Sequence, residues 1–192
     1  MSMRIGYGYD SHEFKAGVPL MIGGVKLEHT HGLAGHSDGD VLLHAITDAL
    51  LGAVAAGDIG SYFPPSDPKW KGANSVVFLE EAMRQIAMAG FRVVNVDTTV
   101  IMMAPKMVPH APKLRARIAE LLQVAGNCVG IKAKTPEGTG TDNAAIAHAV
   151  VLLESIPLEP LLEEDAVAVG VQEEEEEVAK IIDGGNGNGH HS

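Results

Sequence analysis

Three residues in the first quarter of the chain have the types and spacing of a metal site. Asp10 and His12 are two residues apart in a segment whose pattern predicts a strand, and His44 follows in the run 36–44. Side chains two residues apart on a strand point to the same face of a sheet. One carboxylate and two imidazoles suit catalytic zinc with one position left open. The same spacing also occurs among ordinary polar residues, so the metal site is a hypothesis at this stage.

The elements around these residues can be predicted from the hydrophobic pattern and from the turn residues. In chain order, they are a strand at 3–9, a hairpin at 19–27, a loop at 29–40, a helix from 41, a turn-rich segment at 57–68, a helix at 75–90, a strand at 93–103, a loop at 104–110, a helix around 114–122, a strand at 129–134 and a helix at 143–154. The Gly and Pro content of 57–68 argues against a helix or strand interior there.

The helix that starts near residue 41 is predicted to carry His44. Ser37, three residues before Asp40, resembles a capping box in which Asp replaces the usual Glu. Asp40, His44 and Asp48 recur every four residues and therefore share a helix face. We expect Asp48 to orient the His44 ring from outside the set of metal ligands.

Composition limits the classes of protein to which the chain can belong. Its 192 residues, 46% of them hydrophobic, suit one domain at 1–154 followed by a tail. The only cysteine is Cys128, which favours a reducing compartment. Basic patches with interleaved aromatic residues are lacking, which argues against nucleic acid as a partner. Residues 1–9 lack a signal-peptide pattern and no apolar run reaches about 18 residues, so we do not expect a membrane partner.

The negative charge of the chain is concentrated in residues 155–192. This segment holds ten acidic residues and one lysine, a net charge of −9 out of −11 for the whole chain. It also holds an acidic block at 173–177 and a Gly- and Asn-rich end at 184–192. We predict that the segment is an acidic, low-complexity tail that is mostly disordered, with a possible helix around 173–182.

Six short segments, in this order, carry a family resemblance. They are Tyr9–His12, His36–Asp40, His44–Gly52, Gly57–Gly60, Ala104–His110 and Lys134–Gly138. Together they closely resemble the 2-C-methyl-D-erythritol 2,4-cyclodiphosphate synthase family of the non-mevalonate isoprenoid pathway. The resemblance covers residues 3–154, which is the whole predicted domain.

The resemblance implies a fold, an assembly and a reaction. The fold is an α+β subunit with a mixed sheet and helices on one face, which forms a homotrimer with active sites at subunit boundaries. The reaction converts 4-diphosphocytidyl-2-C-methyl-D-erythritol 2-phosphate, a small cytidine diphosphate substrate, into the cyclic diphosphate and CMP. Asp10, His12 and His44 would hold one zinc-type ion, with Mn as the alternative, and Glu137 would lie near Mg or Mn at the diphosphate. The location would be the cytoplasm, or a plastid in a eukaryote.

The resemblance also implies roles for individual residues. His36 and Thr135 would act in catalysis, and residues 104–108 would form the cytidine pocket with Lys106 near phosphate. The substrate contacts it implies are Asp10, Ser11, His12, His36, Ser37, Asp58, Ile59, Gly60, Phe63, Asp67, Ala104, Pro105, Lys106, Met107, Val108, Lys134, Thr135 and Glu137.

The chain departs from the family pattern at two places. Pro65 stands where Asp is common, so any contact by that carboxylate is lost. The segment 139–143 lacks the Phe and Arg with which some members bind an isoprenoid diphosphate in the trimer's central cavity. Two other functions remain open from the sequence. One is a phosphohydrolase that uses the same metal site with an activated water. The other is a non-catalytic trimeric scaffold whose acidic tail recruits partners.

Overall fold

A five-stranded mixed sheet with helices packed on one face forms the core of the protein in a computed structural model that describes residues 2–157. The strands are β1 Met3–Ala16, β2 Leu20–Ile22, β3 Val25–Leu27, β4 His31–Leu33, β5 Phe91–Ile101, β6 Val129–Lys134 and β7 Ala144–Ser155. The helices are α1 Val41–Ala53, α2 Ile59–Tyr62, α3 Val76–Met88 and α4 Ala111–Leu122, with 3₁₀ turns at Pro68–Trp70, Val108–His110 and Gly126–Cys128. The predicted tail at 155–192 lies almost entirely outside the described residues.

The main sheet has the strand order β4-β1-β7-β5-β6, and β2 pairs with β3 in a separate hairpin. Among the described strands of this sheet, only β5 and β6 run parallel, and the other neighbouring pairs, β4 with β1, β1 with β7 and β7 with β5, are antiparallel. The predicted α+β class with a mixed sheet is therefore confirmed. Among the described residues, no helix is both long and apolar enough to cross a membrane.

Strand β1 has two faces with different surroundings. Gly6 and Gly8 are buried, and Asp10 and His12 continue the same alternation at partly buried positions. The odd-numbered positions of the strand are exposed on the other face, including Met3, Ile5, Tyr7 and Tyr9. Asp10 and His12 therefore share the face that carries the helices, as their spacing predicted.

Helix α1 is buried along nearly its whole length, because it lies between the sheet and α3. Asp40 is its N-cap and accepts a hydrogen bond of 3.0 Å from the Leu43 amide. The same carboxylate accepts the amides of Gly23 and Gly24 at 2.8 and 2.6 Å. Asp40 thus joins the β2–β3 turn to the start of α1. The capping box predicted for Ser37 is wrong, because Asp40 itself caps the helix.

Several predicted elements need correction. The predicted helix at 143–154 is wrong, because Ala144–Ser155 form the strand β7, which pairs with β1 on one side and β5 on the other. Buried and less buried residues alternate along β7, and a sheet partner on each side outweighs the helix propensity of its Ala and Leu residues. The segment 57–68 contains the short helix α2, which Asp58 caps. The loop predicted at 29–40 contains the short strand β4.

Candidate active site

The side chains of Asp10, His12 and His44 converge on one point. Asp10 Oδ2 lies 3.0 Å from His12 Nε2 and 2.9 Å from His44 Nδ1, and the two nitrogens are 3.1 Å apart. Strand β1 supplies Asp10 and His12 on one face, and the first turn of α1 supplies His44. Within the described residues these three form a group that could hold a metal ion.

The spacing of the three ligand atoms fits a small divalent ion. Tetrahedral zinc with ligand bonds of about 2.0–2.1 Å keeps its ligand atoms roughly 3.3 Å apart. Three ligand atoms separated by 2.9–3.1 Å approach that triangle. Burial acts to raise the pKa of Asp10, but hydrogen bonds with His12 and His44 and the charges of both rings hold this pKa well below its ordinary value. Asp10 is therefore a carboxylate at neutral pH and adds the negative charge that a cation needs.

The His44 ring is also contacted on its far side. Its Nε2 lies 2.8 Å from Ser75 Oγ and 3.1 Å from Ser37 Oγ. Asp48, which we predicted to orient this ring, instead accepts a 2.8 Å hydrogen bond from the Ile59 amide. The four-residue spacing in α1 put Asp48 on the same helix face as His44. However, it is Ser75, at the start of α3, that lies at the Nε2 atom of the ring. The role of Asp48 in orienting His44 stays a prediction, since the hydrogen bond found at its carboxylate comes from the Ile59 amide.

A cavity of about 360 Å³ opens beside these ligands, and we call it the metal-side cavity. It is lined by Asp10, His12, His36, Ser37, His44, Asp48, Ile59, Gly60, Phe63, Pro65, Trp70 and Phe78. Nine of these residues belong to the sequence-predicted site. The structure thus brings together the metal ligands, the loop at 36–37 and part of the segment 57–68.

One wall of the metal-side cavity is aromatic. The Phe63 ring centroid lies 4.4 Å from that of Phe78 and 4.8 Å from that of Trp70. Of the three, only Phe63 was among the predicted site residues. Phe78 matched the apolar face predicted for its helix, and Trp70 is the only tryptophan in the chain. Nothing in their spacing marks a cavity wall, because the contacts form between segments that are distant from the triad in sequence.

Three other predicted residues, Asp67, Asp58 and Ser11, lie outside the cavity lining. The His36 ring donates to the Asp67 carbonyl oxygen at 3.3 Å, and this contact joins the loop to the segment after Phe63. Asp58 is exposed and accepts the Ser61 amide at 2.9 Å as the cap of α2. Ser11 alternates with Asp10 and His12 and therefore lies on the opposite face of β1.

A second cavity, of about 280 Å³, collects most of the remaining predicted residues, and we call it the lysine-side cavity. It is lined by Met102, Met103, Pro105, Lys106, Met107, Val108, Ala133, Lys134, Thr135 and Glu137. The Thr135 hydroxyl donates to the Glu137 carboxylate. Glu137 has a φ of 53°, a left-handed conformation that is costly for a residue other than glycine and that clusters at functional sites.

The two cavities are separate within one chain and share no lining residue. In the sheet, Ser11 pairs with Ile146, Ile146 with Ile101, and Ile101 with Lys134. This row crosses three strand-to-strand steps, or roughly 14 Å at about 4.8 Å a step. The residues that the sequence grouped as one substrate site therefore form two groups at different places on the sheet.

The fold and the site define a class: an α+β domain whose sheet and first long helix hold a carboxylate and two imidazoles beside an aromatic cavity. The model of the YgbB family matches residues 3–154, and the chain belongs to this family.

Relatives and solved structures agree with this assignment. A 2-C-methyl-D-erythritol 2,4-cyclodiphosphate synthase of Koribacter versatilis is 67% identical over 152 residues, which are 79% of this chain and 98% of the relative. The synthase of Bordetella avium is 58% identical over 137 residues, 71% of this chain and 85% of the relative. A solved structure of such a synthase in its CDP-bound form is 41% identical and covers 79% of this chain and 100% of its own, with a TM-score of 0.75. The resemblance inferred from the six segments is confirmed.

Proposed function

We propose that this protein converts 4-diphosphocytidyl-2-C-methyl-D-erythritol 2-phosphate into 2-C-methyl-D-erythritol 2,4-cyclodiphosphate and CMP. The convergence of Asp10, His12 and His44 beside the metal-side cavity carries the proposal. A relative named for this activity matches 79% of the chain, and a solved relative is described in its CDP-bound form. In the reaction, an oxygen of the 2-phosphate attacks the β-phosphorus. The bond from the β-phosphorus to the oxygen that bridges the two phosphorus atoms of the diphosphate breaks, and CMP leaves with this oxygen.

The metal that best fits the triad is zinc, because two imidazoles and one carboxylate leave a fourth position open. Asp10, His12 and His44 would hold it, and Mn is the alternative. When bound, such an ion supplies Lewis-acid polarisation of a phosphate oxygen and a fixed point for the substrate. The fit rests on the triangle of ligand atoms described above.

The metal-side cavity supplies alignment and charge. His36 and Ser37 reach it from a loop held against the segment after Phe63, where the imidazole can stabilise negative charge on the reacting phosphate. Phe63, Trp70 and Phe78 form an apolar wall that would exclude water from one side of a bound substrate. Phosphoryl transfer depends mainly on positioning and charge stabilisation, and an intramolecular attack needs no second molecule to be captured.

The lysine-side cavity supplies the groups for the nucleotide end. Lys106 and Lys134 bring two positive charges to it, which suit a diphosphate. The backbone at 104–108 offers hydrogen-bonding groups to a cytosine ring. The Glu137 carboxylate, held by Thr135, suits a second hard ion such as Mg or Mn at the diphosphate.

We further propose that the two cavities combine across subunits of a homotrimer. In one chain they lie roughly three strands apart, which separates the triad from the lysines. The face of the sheet opposite the helices exposes Met3, Ile5, Tyr7 and Tyr9 by 48–73%. A row of large apolar side chains on a sheet face is typical of a protein interface. A cyclic trimer would bury this face in each of its three subunits and would place each metal-side cavity beside the lysine-side cavity of a neighbouring subunit.

Phosphorus-31 NMR of the zinc-loaded protein with Mg and this substrate tests the proposed reaction. We expect signals of CMP and a cyclic diphosphate from the wild type, no turnover by His12→Ala, and normal turnover by His29→Ala, which removes an exposed histidine outside the cavities. Release of free phosphate would instead indicate a phosphohydrolase. If His44→Ala kept full biological function, the scaffold would be the better description.

A further inference from the structure

The His44 ring is held from behind by a buried serine and a carboxylate. Ser75 is completely buried, and its Oγ lies 2.8 Å from His44 Nε2. The Ser75 hydroxyl donates to Asp38 Oδ1, and the Ser75 amide donates to Asp38 Oδ2 at 3.1 Å. Asp38 therefore fixes both the backbone and the side chain of Ser75.

The single proton of the Ser75 hydroxyl determines the direction of this chain of hydrogen bonds. A serine hydroxyl has one O–H donor, and Ser75 gives it to the Asp38 carboxylate, which can only accept. Ser75 Oγ can therefore only accept from His44, so the ring must carry its proton on Nε2. In the neutral ring Nδ1 then has a lone pair, and this atom is the one that faces Asp10 Oδ2 and His12 Nε2.

We infer that Ser75 and Asp38 are positioning residues that hold His44 in the tautomer and ring orientation required for metal binding through Nδ1. This inference rests on the proposed metal site. Ligating histidines commonly donate their second N–H to such a partner, and removal of the partner lowers metal affinity. Here the carboxylate acts through a hydroxyl rather than directly on the ring.

The local structure of α3 supports this role independently. Ser75 is the residue before the helix, where a serine usually caps with its side chain. Its side chain makes no capping hydrogen bond, and the Val76 amide bonds to Asn74 Oδ1 at 2.9 Å instead. The Ser75 hydroxyl is thus used for His44 and Asp38 rather than for the helix.

Zinc affinity, measured by competition with a chromophoric chelator, tests the inference without requiring turnover. We expect Ser75→Ala and Asp38→Ala to weaken zinc binding by about 10- to 100-fold. Asp38→Asn should weaken zinc binding less than Asp38→Ala, because its amide oxygen can still accept the Ser75 hydroxyl proton while its NH2 group can no longer accept the Ser75 amide. Ser61→Ala is the matched control, since it removes a hydroxyl bonded to another carboxylate, Asp58, outside the cavity lining.

The absorption spectrum of the Co²⁺-loaded proteins gives a second readout. We expect the ligand-field bands to change in Ser75→Ala and Asp38→Ala and to remain unchanged in Ser61→Ala. If Ser75→Ala does not fold, the partly exposed Asp38 still provides the test. Wild-type zinc affinity and spectra in both alanine variants would overturn the inference while leaving the reaction intact. A wild-type protein that bound no zinc would overturn the proposed metal site together with this inference.

Discussion

Gly8 of β1 lies directly against the backbone of Ala45 in α1. A Cβ atom on Gly8 would come within 1.9 Å of the Ala45 carbonyl oxygen, a distance that no side chain can accept. Gly6 makes a similar approach to Ala49, one turn further along α1. Because Asp10 follows Gly8 on the same face and His44 precedes Ala45, this contact determines how close the strand brings Asp10 to His44.

We expect Gly8→Ala to destabilise the protein by at least about 2 kcal/mol, because the added methyl group must push α1 away from the sheet. It should also weaken zinc binding, since His44 moves with the helix. Gly126→Ala is the control, as nothing lies within 4 Å of a Cβ at that position. Urea denaturation and zinc titration of both variants provide the measurement, and equal stabilities would show that α1 can shift without cost.

Zinc should raise the melting temperature of the wild type. At a free concentration of about 100 times its Kd, a ligand adds about 2.7 kcal/mol to the free energy of unfolding, which is about 5–10 °C for a chain of this size. His44→Ala should lose this increase, and His29→Ala should keep it. A chelator should reverse the effect in the wild type. An equal zinc-dependent shift in His44→Ala would mean that the ion binds elsewhere.

Mixed trimers can show whether each site is shared between subunits. His12→Ala inactivates the metal-side cavity and Lys106→Ala the lysine-side cavity, so each pure variant should be nearly inactive. If neighbours share a site, dissociation and reassembly of an equal mixture should restore about one quarter of wild-type kcat per subunit, because each mixed cyclic trimer contains one intact pair of cavities. Two variants of the same cavity, His12→Ala and His44→Ala, serve as the control pair. No recovery in the first mixture would place both halves of the site in one chain.

The pH dependence of stability should differ between two neighbouring carboxylates. Burial raises the pKa of Asp48 above its ordinary value of 3.8, with Asp58 and Asp10 adding repulsion. The folded state thus favours the protonated form, and stability falls as pH rises through the interval between 3.8 and the raised pKa. Asp48→Asn should therefore increase the melting temperature by about 1–2 °C at neutral pH and have little effect in acid.

Asp58 provides the matched comparison with the opposite sign. Hydrogen bonds from the Ser61 hydroxyl and amide lower the pKa of Asp58. Its ionised carboxylate therefore stabilises the folded state above pH 3.8, and this stabilisation is lost as the pH falls through the lowered pKa. Asp58→Asn should slightly decrease the melting temperature at neutral pH. Thermal unfolding of both variants at about pH 3 and about pH 7 separates the two cases. Changes in melting temperature of the same sign at neutral pH would contradict the opposite pKa shifts of the two carboxylates.

Several features could be read from the sequence because they depend on local spacing. A spacing of two residues along a strand puts Asp10 and His12 on one face of the sheet. The turn at Gly23 and Gly24, with φ of 60° and 73°, follows from the conformational freedom of glycine. The six segments identified the family, and their residues account for most of the metal-side and lysine-side cavities.

Other features were decided only by the tertiary structure. Residues 144–155 fit both a helical and an alternating pattern, and pairing with β1 and β5 selects the strand. The hydroxyl at the His44 ring comes from Ser75, 31 residues further along the chain, so no local period could indicate it. The sequence by itself thus indicated the candidate metal ligands and most of the residues that line the two cavities, because residue type and local spacing set what each can bind. Only the packing of α1, α3 and the sheet decided which groups meet, because contacts between distant segments depend on how their surfaces fit together.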